Sequence, residues 1–116
     1  GWQGEGDNSV CAGTCDGQRY VTLAQDLANQ FHPNGKLVTV AGSASSNFGA
    51  YVTISNLNQY VDFVNLMAYD FHGNWECTTN HQANIYGGVT YNIDSSVNMY
   101  LNGGLTASKL NVGIPF

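Results

Sequence analysis

The chain has 116 residues, 43% of them hydrophobic and only 9% charged, and eight acids against three cations give a formal charge of -5. At this length one modest core is possible, burying roughly two-thirds of the surface that the unfolded chain exposes, so residues 1–116 read as a single domain or a segment of one. The cations Arg19, Lys36 and Lys109 are scattered, which excludes a nucleic acid or an anionic membrane as partner, and no apolar run approaches the roughly 20 residues of a membrane helix.

Residues 1–17 are rich in Gly, Asp, Asn and Cys and read as a loop; no charged-then-apolar leader opens them, so a secreted chain would already be processed. Cys11 and Cys15 are close enough to bridge a tight loop, whereas Cys77 is left over, and an odd count in an oxidising compartment implies an absent partner. From Gln18 onward, Tyr20, Ala24, Leu27 and Phe31 recur at spacings of three and four, one face of a helix that ends before Pro33. Asn34-Gly35 makes the turn. Leu37-Val38-Thr39-Val40-Ala41 reads as a strand buried on both sides. Residues 42–52, with their Ser, Ala, Asn and Gly, read as an exposed loop, and Ile54, Leu57, Tyr60 and Val61 predict a second, shorter helix.

The next strand runs through Val64-Asn65-Leu66-Met67-Ala68-Tyr69. Side chains alternate along a strand, so Val64, Leu66 and Ala68 share one apolar face while Asn65, Met67 and Tyr69 share the other. This strand leads directly into Asp70, His72 and Trp75. Residues 71–91 show no periodicity and are longer than most connections, and loops of that length are usually functional. Asp94 caps a third helix carrying Val97, Tyr100 and Leu101 and closed by Gly103-Gly104, and Leu110-Asn111-Val112-Gly113-Ile114 is a third strand.

Helix and strand thus alternate, which predicts an α/β fold of right-handed parallel βα units. A parallel sheet of this size leaves two edges unpaired and one face poorly covered. The chain therefore reads as about half of a larger barrel, packing with the other half or with further copies of itself through its open edges.

Taken together, Leu37-Val38-Thr39-Val40-Ala41, the run from Tyr60 to Trp75, and Lys109-Leu110-Asn111-Val112-Gly113-Ile114-Pro115-Phe116 resemble, in order and spacing, consecutive strands of the chitinases of glycoside hydrolase family 18. The Met-x-Tyr-Asp-Phe-His-Gly-x-Trp run from Met67 to Trp75 is the specific part. The resemblance covers essentially the whole chain and implies the segment from the end of the fourth to the seventh strand of a TIM (β/α)8 barrel, with the site at the carboxyl ends of the strands. It also implies a secreted protein, no cofactor, and action on β-1,4-linked N-acetylglucosamine polymers. In that family a glutamic acid protonates the leaving oxygen while the sugar's own N-acetyl group attacks the anomeric carbon.

By this resemblance Tyr69 donates its hydroxyl to the N-acetyl carbonyl, and Asp70 hydrogen-bonds the distorted sugar and stabilises the cyclised intermediate. Met67 forms part of the floor beneath the sugar, and Trp75 offers a flat apolar face to a neighbouring ring. The alternation of the strand supports this independently, because it puts Met67 and Tyr69 on one face.

The fourth-strand motif of the family ends in Asp-Trp-Glu, whereas this chain begins Gly1-Trp2-Gln3. With Trp2 aligned, the acid position holds Gln3, which can hydrogen-bond a glycosidic oxygen but has no proton to give; general-acid catalysis, worth roughly 10²–10⁴-fold, would be lost. Either the chain is a chitinase-like lectin that kept the groove and lost the chemistry, or its first residues reflect how it was cut or sequenced. Glu5 is a third candidate for the acid but lies past the strand end.

His72, Cys77 and His81 lack the paired spacing of metal ligands, so no metal is expected. His72 reads as a hydrogen-bonding loop residue and Glu76 as a solvated acid, and the three cations read as solvated helix-end or loop charges. Two other classes of function remain: a carbohydrate-binding module in which residues 71–91 are the whole binding surface, and a self-assembling fragment whose sheet edges pair.

Overall fold

A computed structural model describes residues 15–87 and 91–116. Gln3, Glu5 and Cys11 lie outside the described residues, as does the pairing expected for Cys11; Cys15 is disulfide-bonded.

Helix α1 (Asp16–Phe31) is followed by a single 3-10 turn over His32–Asn34, which Gly35 closes at φ 66°. Strand β1 (Thr39–Ser43) leads to the short helices α2 (Ser46–Tyr51) and α3 (Ile54–Tyr60), then to β2 (Phe63–Met67). After the long loop come α4 (Ile93–Asn102), a 3-10 turn over Ala107–Lys109 and β3 (Leu110–Val112). The strands form one parallel sheet in the order β1-β2-β3, with Ala41 beside Asn65 and Asn65 beside Asn111.

One face of this sheet is covered by helices and the other is open. Val64, Leu66 and Ala68 are buried with Val38, Phe48, Leu57, Val61 and Tyr100 in the core, while Asn65 and Met67 on the opposite face are exposed, so the alternation predicted for β2 holds. The strand expected at residues 37–41 is displaced by two residues and is not buried on both sides. Val38 and Gly42 are covered, but Thr39 and Ala41 face outward beside Asn65. Across the open face Asn111 Nδ2 donates to Asn65 Oδ1 at 3.2 Å.

Three further readings are corrected. Residues 42–52 are not a loop: they complete β1 and form α2, whose N-terminus is capped by Ser45 Oγ accepting from the Asn47 N–H at 3.3 Å and which is anchored by buried Phe48 and Val52. On α1 the buried positions are Gly17, Ala24 and Ala28, and Leu27 and Phe31 lie toward solvent; the small residues let α1 approach α2 so closely that a Cβ on Gly17 would overlap the Tyr51 backbone. The cap of α4 is Asn92 rather than Asp94, through a reciprocal capping box with Ser95.

Candidate functional site

The site begins where β1 and β2 end. Ser43, Ala44 and Ser45 leave β1, and Tyr69, Asp70 and Phe71 leave β2; with Trp75 and Tyr91 they line an open groove of about 530 Å³. Three of the four residues singled out for ligand contact, Tyr69, Asp70 and Trp75, are thus brought to one groove. The fourth, Met67, is not among its lining residues; it stands two residues before Tyr69 on the open face, 40% exposed and in register with Ser43. Gln3, expected at the acid position, lies outside the described residues.

The backbone turns sharply at the groove. Asp70 has φ 56°, the only non-glycine residue of positive φ among the described residues. Asp tolerates this region better than most residues, yet a left-handed non-glycine residue still costs about 1 kcal/mol or more, and such positions cluster at functional sites. The turn holds Asp70 exposed while Phe71 is buried. Phe71 is fixed by its N–H donating to the Gln82 carbonyl at 2.9 Å and by the Tyr91 ring at a centroid distance of 6.4 Å. Tyr69, half-buried, lies against the backbone at Gly113 just beyond β3.

Helix α4 supports the other wall. Its buried Tyr100 donates its hydroxyl to the Ser43 carbonyl at 2.9 Å, and buried Ser96 donates to the Ala44 carbonyl at 3.0 Å. Burial raises the Tyr100 phenol well above its ordinary range, so it remains a donor. Ser96 and Tyr91 were not singled out from the sequence. Ser96 was legible in principle as a small hydroxyl four residues before Tyr100 on one helical face; Tyr91 carried no signal outside the tertiary structure.

The loop after Asp70 has its own pocket of about 360 Å³, lined by His72, Gly73, Asn74, Glu76, Cys77, Thr78, Thr79 and Asn80. Cys77 is a free, exposed thiol. Glu76 is not merely solvated, since it pairs with His72 at 2.6 Å. Lys109 departs from the solvated reading too: its ammonium donates to the carbonyls of Asn58 and Val61 at 2.7 and 2.8 Å, at the carboxyl end of α3. No helix among the described residues is long and apolar enough to cross a membrane.

An aromatic, polar groove at the carboxyl ends of parallel strands is where α/β barrels bind their ligands. The family described as "Glycosyl hydrolases family 18" matches residues 2–116. Among curated relatives, Endochitinase 1 of Metarhizium robertsii is 35% identical over 98 residues, covering 79% of this chain and 22% of the relative. Chitotriosidase-1 of Mus musculus is 36% identical over 117 residues, covering 88% of this chain and 25% of the relative. The chain therefore spans about a quarter of such relatives. A solved Group IV chitinase of Ostrinia furnacalis, in complex with allosamidin, superposes with a TM-score of 0.87 at 29% identity, covering 99% of this chain and 33% of that one. A mutant of the Group II chitinase catalytic domain 2 of the same organism, in complex with penta-N-acetylchitooctaose, superposes with a TM-score of 0.83 at 33% identity, covering 88% of this chain and 28% of that one.

Proposed function

Because the chain belongs to glycosyl hydrolase family 18 and its parallel strands form part of a TIM (β/α)8 barrel, we propose that it recognises β-1,4-linked N-acetylglucosamine oligosaccharides through the groove at the ends of β1 and β2. The observation that carries this reading is the convergence of Tyr69, Asp70 and Trp75 on that one groove. Chitin-type sugars offer apolar ring faces and N-acetyl groups, and the groove offers an exposed indole and polar groups in matching supply.

In this reading the Tyr69 hydroxyl donates to the N-acetyl carbonyl. The Asp70 carboxylate accepts from the N-acetyl N–H, which both orients the carbonyl oxygen toward the anomeric carbon and stabilises the positive charge that develops on cyclisation. Met67 floors the sugar from one pleat below, and Trp75 stacks on a neighbouring ring. The parent activity would be substrate-assisted, retaining hydrolysis. This chain alone would bind without cleaving: with Trp2 aligned to the family motif, Gln3 would stand at the acid position, and a glutamine cannot protonate a leaving oxygen. Its location would be extracellular, which the Cys15 disulfide supports. Its open sheet face and edges would accept the remaining barrel strands or further copies of the chain.

A second reading is favoured by the separate pocket of the loop at His72–Asn80: a non-catalytic chitin-binding module that uses the loop alone. Titration of the chain with N-acetylglucosamine oligomers separates the two. Under the groove reading Tyr69→Phe weakens binding together with Trp75→Ala; under the loop reading only Trp75→Ala does, and unchanged affinity in Tyr69→Phe would overturn the groove reading.

A further inference from the structure

His72 and Glu76 are not among the groove-lining residues, and the groove reading gives them no role. The His72 side chain retains 10% of its exposure and that of Glu76 35%, and the Nδ1–H of His72 donates to Glu76 Oε2 at 2.6 Å. An ionised carboxylate only accepts, so the shared proton belongs to Nδ1. The other ring nitrogen, Nε2, is buried and meets no polar partner among the described residues. Glu76 is therefore what fixes this ring by a polar contact.

The pair brackets a turn that carries Trp75. Glu76 N–H donates to the Gly73 carbonyl at 3.2 Å. Gly73 lies under the indole, where a Cβ would come within 2.9 Å of the ring carbon Cε3. Trp75, 65% exposed, thus sits in a turn closed by a peptide hydrogen bond and, one residue further out, by the His72–Glu76 pair. An exposed aromatic that must be ordered on binding loses affinity to that ordering, and a side chain already held avoids the loss.

We infer that His72 and Glu76 form a clasp that pre-positions the Trp75 indole at the rim of the groove, so that Glu76 acts on oligosaccharide affinity through Trp75 without touching the sugar. Glu76 is a positioning residue in this scheme. The inference rests on the reading of Trp75 as a sugar-stacking side chain.

The test combines the full chain with Glu76→Ala, Glu76→Gln, Trp75→Ala and the double variant Glu76→Ala/Trp75→Ala. Time-resolved anisotropy of the ligand-free chains reads the mobility of the Trp75 indole, with Trp75→Ala giving the Trp2 background, and titration with the N-acetylglucosamine tetramer reads affinity. Glu76→Ala is expected to lower the residual anisotropy of Trp75 and to weaken binding by about threefold to tenfold. Glu76→Gln, which keeps an acceptor for Nδ1–H, should hold both close to the parent values. In the Trp75→Ala background Glu76→Ala should have no further effect. Unchanged anisotropy in Glu76→Ala, or the same weakening with Trp75 already removed, would overturn the clasp. A Trp75→Ala chain that binds as tightly as its parent would overturn the stacking reading, and the inference with it, whatever the anisotropy.

Discussion

The ring of Tyr69 rests on Gly113: a Cβ added to Gly113 would lie 2.9 Å from Tyr69 Cε1 and 2.8 Å from the carbonyl oxygen of Leu66. That carbonyl already accepts the Gly113 N–H at 2.8 Å. The residue after β3 therefore sets how far the Tyr69 hydroxyl reaches into the groove, and only a bare Cα leaves room for the ring. Gly113→Ala should displace Tyr69, weaken binding of N-acetylglucosamine oligomers by about tenfold and destabilise the chain by about 1–3 kcal/mol through overpacking. Titration and urea unfolding of the same variant check both effects.

Tyr100 ties α4 to the groove wall through the Ser43 carbonyl. Tyr100→Phe leaves that carbonyl without its donor and should cost about 1–2 kcal/mol in urea unfolding. The phenol pKa is raised by burial, so the folded state favours the neutral form. Its contribution is complete below the ordinary phenol range and is lost as pH rises through that range toward the folded value. The parent chain should therefore lose stability in alkali more steeply than Tyr100→Phe, as unfolding midpoints across that range will show.

Asp62 joins β1 to the turn after α1. Its carboxylate accepts the Val38 N–H at 2.7 Å and pairs with His32 Nε2 at 3.0 Å. The Val38 hydrogen bond, with His32 assisting, holds the carboxyl below its usual range despite the opposing effect of burial. A lowered folded pKa means that the contribution is complete above the ordinary carboxylate value and is lost as pH falls through the folded value. Asp62→Asn should flatten this acid dependence and cost no more than about 1 kcal/mol near neutrality, given the solvent around the side chain. Urea midpoints at neutral and acid pH measure it.

Lys109 donates to the carbonyls of Asn58 and Val61, which α3 leaves at its carboxyl end. Lys109→Met keeps the aliphatic stem but removes both donors and should cost about 1–2 kcal/mol. The groove lies at the opposite, carboxyl end of the strands, so affinity for oligosaccharide should be unchanged in the same variant.

On the proposal that Gln3 occupies the acid position of the family motif, the chain should not turn over a fluorogenic chitobioside. Turnover that Asp70→Asn abolishes would show that an acid is present after all.

The sequence carried the organising features of this fold where local pattern and tertiary burial agree. The alternation in β2 was legible because Val64, Leu66 and Ala68 pack under helices while Asn65 and Met67 do not. Tyr69, Asp70 and Trp75 were legible as a motif, and they meet at one groove. What failed had tertiary causes. The helix α2 is held by burial of Phe48 and Val52 against a sequence of poor helix formers, and the outward face of β1 is open because helices cover only one side of the sheet. The buried faces of α1 and the groove supports Ser96 and Tyr91 depend on neighbours distant in sequence, such as the Ala44 carbonyl and the Phe71 ring.

In the proposed function, the groove holding Tyr69 and Asp70 reads the N-acetyl group of a chitin-type sugar. The decisive measurement is calorimetric titration of the chain with the N-acetylglucosamine tetramer beside the glucose tetramer of the same linkage. The N-acetylated sugar alone should bind saturably, with affinity weakened about tenfold or more by Tyr69→Phe and by Asp70→Asn. Equal binding of the two sugars, or N-acetyl-specific binding that survives both substitutions, would rule out recognition of the N-acetyl group by Tyr69 and Asp70.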